Sequence, residues 1–128
     1  MNASTLSDIE DEASIKVLVD NFYQKVREDD LIGPVFDQAV QDWDKHMPTM
    51  YAFWTHLLFR RGDYSGNPWA KHAPLDIEKE HFQRWLELFK QTLSERFEGP
   101  VSEQAYAAAQ SIAHSFQIRK GINPYPID

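Results

Sequence analysis

The sequence predicts an all-α fold. Apolar residues recur three and four positions apart along four long stretches, and no stretch alternates apolar with polar at strand spacing. The breaks between these stretches fall on Pro, Gly and Asp clusters, which favour turns. At 128 residues the chain fits one domain with a real core. The polar ends, residues 1–12 and 122–128, are expected as loose tails.

The first helical run covers Glu12 to Glu28, with the stripe Ile15, Leu18, Val19, Phe22 and Val26 and with Tyr23 beside it. Asp29, Asp30, Gly33 and Pro34 break it, and Val35-Phe36 reads as a short apolar corner. A second helix opens at Asp42 or Asp44 and runs to Arg60. Its face is His46, Met50, Phe53 and Leu57, flanked by Trp43, Met47, Trp54 and Leu58. Pro48 is tolerated there because it falls early in the helix. Residues 61–68 form a loop by every turn signal, and Pro68 opens one short helical turn through Ala73 before Pro74 stops it. A third long helix runs from Ile77 to Phe97, with Phe82, Trp85, Leu86, Phe89 and Leu93 on one stripe. The last runs from Val101 or Ser102 to Lys120, with Ala105, Ala108, Ala109, Ile112 and Phe116. Periodicity alone leaves a four-helix bundle and a globin-like sandwich both open.

Composition narrows the function. The net charge of −7 argues against nucleic acid and anionic membranes, which need a basic face. There is no Cys, which removes disulfides, zinc–thiolate sites, iron–sulfur clusters, thiol catalysis and covalent haem attachment through Cys-x-x-Cys-His. No apolar run approaches the roughly 18 residues of a membrane span. The acidic start resembles no targeting peptide, so a cytoplasmic location is expected. Neither His-Glu-x-x-His, a P-loop nor Gly-x-Gly-x-x-Gly occurs. One Glu-x-x-His at Glu78–His81 falls short of the two that a di-iron bundle needs. A serine nucleophile elbow is absent too.

Aromatics make up 13 % of the chain, including 4 Trp and 8 Phe, and such flat side chains pack well against one another or against a planar ligand. Of the five histidines, His56, His81 and His114 read as solvated surface residues. His46 lies on the apolar face of its helix, and His72 lies on the short Pro-bounded turn. A planar haem needs one neutral imidazole aimed at its iron, and a short isolated element can aim one without distorting a long helix. A diatomic ligand that gains negative charge needs donors from the opposite side. Tyr23 and Trp85 carry such donors within apolar surroundings, and both also read as plain core aromatics.

Four fragments carry a family resemblance. They are Asn21-Phe22-Tyr23-Gln24-Lys25-Val26-Arg27 with Leu31-Ile32-Gly33-Pro34-Val35-Phe36; Asp42-Trp43-Asp44-Lys45-His46 with Phe53-Trp54; Gly62 through Pro68 with Lys71-His72; and Phe82-Gln83-Arg84-Trp85-Leu86-Glu87-Leu88-Phe89. In this order, over roughly residues 15 to 120, the chain resembles the group III truncated haemoglobins. The Gly-Gly pairs of the other truncated groups are absent, which puts a continuous apolar ligand tunnel in doubt.

The resemblance implies a shortened globin fold, two helices packed across two others around a non-covalent haem b. It puts His72 at the proximal iron ligand and Tyr23, His46 and Trp85 at the distal polar positions. Phe36, Met50, Phe53, Trp54, Phe82, Phe89, Ile112 and Phe116 are the expected pocket walls. Met50 stands where the family usually carries another apolar side chain. Lys71, Arg60 and Arg61 are the expected partners of the haem propionates. The implied ligands are O2, NO, CO and cyanide, with slow O2 release. An enzyme using the same site, a nitric oxide dioxygenase or peroxidase, would need a separate electron donor or reductase. A haem-free helical interaction module is the third reading. A monomer or weak dimer is expected.

Overall fold

The computed structural model describes residues 6–62, 64 and 66–124. Six helices appear in order: α1 (Glu12–Glu28), α2 (Gly33–Ala39), α3 (Trp43–Phe59), α4 (Pro68–His72), α5 (Lys79–Arg96) and α6 (Pro100–Arg119). Among the described residues there is no strand. Helix α1 packs on α3 and on α5, and α5 packs on α6. The core gathers where these pairs meet, around Leu18, Val19, Phe22, Val26, Phe89, Ala105 and Ala109.

Three of the helix starts have a local cap. Asp11 caps α1 by accepting from Ser14 N–H at 2.9 Å. Asp42 caps α3 by accepting from Asp44 N–H at 3.0 Å. Asn67 caps α4 by accepting from Ala70 N–H at 3.2 Å, and Pro68 fits the first turn, where its missing N–H costs nothing. Pro48 lies inside α3 and leaves the Asp44 carbonyl without its helical partner. The helix then ends on Arg60 in the left-handed conformation, φ 56°.

Three sequence expectations change. The apolar corner at Val35-Phe36 is a full helix, α2. Gly33 and Pro34 mark its first turn, where Pro34 is well placed, and do not break the chain. Gly33 is required there: a Cβ would lie 3.0 Å from the Arg27 carbonyl oxygen of α1. Leu57 is 39 % exposed, while Trp54 and Thr55 take the buried face of α3. Part of the N-terminal segment that the sequence leaves as a tail is tied to the fold. Ile9 is buried, and the Asp8 carboxylate accepts from Val101 and Ser102 N–H at 2.9 and 2.8 Å. The start of α6 is therefore capped from 93 positions away, so a search for a local capping residue at Ser102 had no chance of finding it.

Two further links fix the frame of the site. Asp29 accepts from Leu31 and Ile32 N–H at 3.1 and 3.0 Å and from Arg84 Nε at 2.7 Å, joining the end of α1 to α5. Lys120 Nζ donates to the Ala73 and Leu75 carbonyls at 3.2 and 2.7 Å, holding the end of α4 against α6.

Candidate functional site

An apolar cleft opens between α1, α2 and α3 on one side and α4, α5 and α6 on the other. It encloses about 860 Å3 of empty space, including the part open to solvent. Tyr23, Phe36, His46, Met50, Phe53, Trp54, His72, Phe82, Trp85, Ile112 and Phe116 all line it. Eleven of the twelve side chains singled out from the sequence thus share one cavity. The twelfth, Phe89, does not line it. One turn beyond Trp85, it lies beneath the wall, stacked on Trp54 and Trp85 at ring distances of 5.0 and 5.8 Å. It also meets Phe22 of α1 at 5.0 Å, edge to face. Its surface is therefore already spent on core packing.

His72 closes one side of the cleft from the short α4. Its Nδ1 faces the Pro68 carbonyl at 2.5 Å. A carbonyl only accepts, so Nδ1 carries the proton and Nε2 keeps a lone pair. Burial pushes its pKa below the ordinary histidine value, and the Lys120 and Lys71 charges push the same way, while the Pro68 bond opposes them. The ring is neutral and fixed in orientation. Phe116 lies 5.1 Å from it, ring to ring.

Tyr23, His46 and Trp85 line the same cleft from α1, α3 and α5. The Tyr23 and His46 rings meet at 5.7 Å, edge to face. Trp43 packs against both, at 5.7 and 5.5 Å, and is itself covered by the Arg27 guanidinium at 4.6 Å. His46 therefore points inward. Its Nε2 is buried and has no hydrogen-bond partner. Burial, with the Lys71 charge, holds its pKa down. Tyr23 is 6 % exposed, and burial pushes its phenol pKa far up, so the hydroxyl stays protonated. No described residue accepts from the Tyr23 hydroxyl or the Trp85 indole N–H.

Sequence reasoning missed several lining residues, namely Ile32, Val35, Pro68, Ile77, His81 and Ala113. Ile32 and Val35 belong to the unforeseen α2 and its approach. His81 was read as solvated because Glu78, Lys79 and Glu80 precede it, yet it is half-buried in the cleft wall. Glu78 N–H donates to its Nδ1 at 2.9 Å and folds the ring back over the first turn of α5. A reciprocal capping pair, acidic residue then acceptor three positions on, was the available signal. His114 is half-buried as well, while His56 is exposed as expected. Arg60, Arg61 and Lys71 are exposed, and none lines the cleft.

The profile of the Bacterial-like globin family matches residues 6–117. The chain is a bacterial-like globin. It is 36 % identical to the group 3 truncated haemoglobin of Campylobacter jejuni, over 81 % of this chain and 86 % of that protein. The crystal structure of a group III truncated haemoglobin from the same organism superposes with a TM-score of 0.83 at 32 % identity, covering 90 % of this globin and 94 % of that chain. Both place this globin with the third truncated group, and the family implies haem binding.

The cleft fits that group. It offers one imidazole whose burial favours the neutral form and whose Nδ1 is held by Pro68, a second histidine with a buried, unpartnered nitrogen, and aromatic walls for a flat apolar ring. Among the described residues no cluster of three or more His, Asp or Glu could hold a bare metal ion. No described helix is long and apolar enough to cross a membrane.

Proposed function

We propose that this globin binds haem b without a covalent bond and uses it to hold O2 and related small ligands, including NO, CO and cyanide. When bound, the haem supplies an iron with one open coordination position. His72 serves as the proximal ligand through Nε2, because its Nδ1 is tied to Pro68. That anchored ring, lining one apolar cleft together with Tyr23, His46 and Trp85, is the observation that carries the reading. Phe36, Met50, Phe53, Trp54, Phe82, Ile112 and Phe116 wall the ring in and keep water from it.

Among the described residues nothing accepts from Tyr23 O–H or Trp85 N–H, so both are available to a ligand that has gained negative charge. Each such bond contributes roughly 1.5–3 kcal/mol. Two of them slow release by roughly two to four powers of ten, at ~1.4 kcal/mol per tenfold. Such slow release suits sequestration, sensing or chemistry on the ligand better than delivery. The inward His46 narrows the same side.

The test is an absorption spectrum of the purified protein, as isolated and after dithionite and carbon monoxide, beside His72→Ala. A Soret band that shifts on reduction and on carbon monoxide, and collapses in the variant, supports the reading. A protein that shows no band even after haem is supplied refutes it.

A further inference from the structure

We propose that His81 is a cofactor-binding residue, its Nε2–H donating to a carboxylate on the rim of the haem. This rests on the haem reading above and adds to it the residue that receives the acidic edge of the ring. A haem carries an apolar disc and two carboxylates. The disc can enter an apolar cleft, but a buried carboxylate without donors costs several kcal/mol, so the acidic edge stays where the lining meets water.

The lining contains no Lys and no Arg. Its side chains with a polar nitrogen or oxygen are Tyr23, His46, Trp54, His72, His81 and Trp85, and Trp54 is buried. His72 is committed through Nδ1 to Pro68. Tyr23 is deeply buried, and the His46 Nε2 is sealed from solvent. His81 is half-buried, as His46, His72 and Trp85 are, and stands at the first turn of α5, one turn before Trp85. Its Nδ1 accepts from Glu78 N–H at 2.9 Å, which requires the proton on Nε2. The bond also fixes the ring, so the donor is held in place before any ligand arrives. No described residue accepts from that Nε2–H. An oriented Nε2–H donor, half-buried in an otherwise largely apolar lining, suits a carboxylate.

The experiment follows haem transfer from the loaded protein to excess apomyoglobin. Wild type, His81→Ala and His81→Gln are each loaded with haem and, separately, with haem dimethyl ester. Far-UV circular dichroism and melting of each variant report folding. A hydrogen bond to a charged acceptor corresponds to about tenfold or more in dissociation. The diacid haem should leave His81→Ala about tenfold faster than wild type, with His81→Gln between them. The ester should leave wild type and His81→Ala at the same rate. Equal diacid rates in wild type and His81→Ala overturn the proposal. Equal acceleration of diacid and ester also overturns it, because His81 would then act only through its cap on α5. A wild-type chain that takes up neither haem overturns the cofactor reading itself, a result distinct from the other two.

Discussion

Replacing Tyr23 with Phe separates ligand retention from stability, because the two should respond in opposite directions. The hydroxyl lies in a buried residue and no described group accepts from it. Deleting it breaks no protein hydrogen bond and removes a polar atom from an apolar wall, so stability should change by less than about 1 kcal/mol or rise. The ring keeps its edge contacts with Phe22, Phe36 and His46 at 5.1, 5.8 and 5.7 Å, so the cleft keeps its shape. Ligand release tells the other half. One lost donor to a charged oxygen is worth roughly 1.5–3 kcal/mol, or about ten- to hundredfold in the O2 dissociation rate. Carbon monoxide carries less charge and should be held almost equally by both proteins. The assay is stopped-flow O2 displacement by carbon monoxide, paired with urea unfolding of the same samples. Unchanged O2 release would refute the donor role. A loss of stability above about 1 kcal/mol would show that the hydroxyl was holding the fold.

Three further outcomes follow from the same contacts. Asp8→Ala removes the cap on α6, with its two bonds to Val101 and Ser102, and should cost about 1–2 kcal/mol in urea unfolding at unchanged m, while Asp8→Asn retains part of it. A cost below about 0.5 kcal/mol would mean the N-terminal segment contributes nothing. His46 and His72 both have pKa values depressed by burial, so below the ordinary value of about 6.5 the unfolded chain binds protons that the folded chain refuses. Stability is then full above about pH 6.5 and falls as pH drops below it. Since His72 must also stay neutral to bind a metal, haem loss should accelerate in that window; a flat unfolding profile from pH 7.5 to 5 would contradict this. Gln117→Leu should leave stability unchanged or raise it by up to about 1–2 kcal/mol in thermal melts. The buried Gln117 Oε1 has no partner, although its amide nitrogen donates to the Ala113 carbonyl at 3.1 Å. A marked drop in melting temperature would show that the oxygen is satisfied after all.

Much of the site was legible because its chemistry depends on residue type and on local spacing. His72 stands out as an imidazole on an isolated Pro-bounded turn, and that turn is the same in the fold, capped by Asn67 and opened by Pro68. The long stripes of α1, α3, α5 and α6 follow from period 3.6, which the sequence displays directly. Harder to read were features that depend on a partner far along the chain. α2 is short, and its Gly-Pro start looks like a break until the end of α1 is seen against Gly33. The α6 cap comes from Asp8, which no local motif reveals.

By itself the sequence determined the helical class, the family and most of the side chains that gather in the cleft, since these rest on periodicity, residue chemistry and fragment order. Only the tertiary structure decided which way each side chain turns. Phe89 has the pattern of a pocket wall, yet the stacking of Trp54 and Trp85 over it puts it one layer below the cleft. His81 has the neighbours of a surface residue, yet a single bond from the Glu78 N–H draws it into the wall. His46 could face water or the cleft on helical spacing alone, and the packing of Tyr23 and Trp43 turns it inward. Direction at that scale is set by contacts between elements, and a linear pattern holds no record of them.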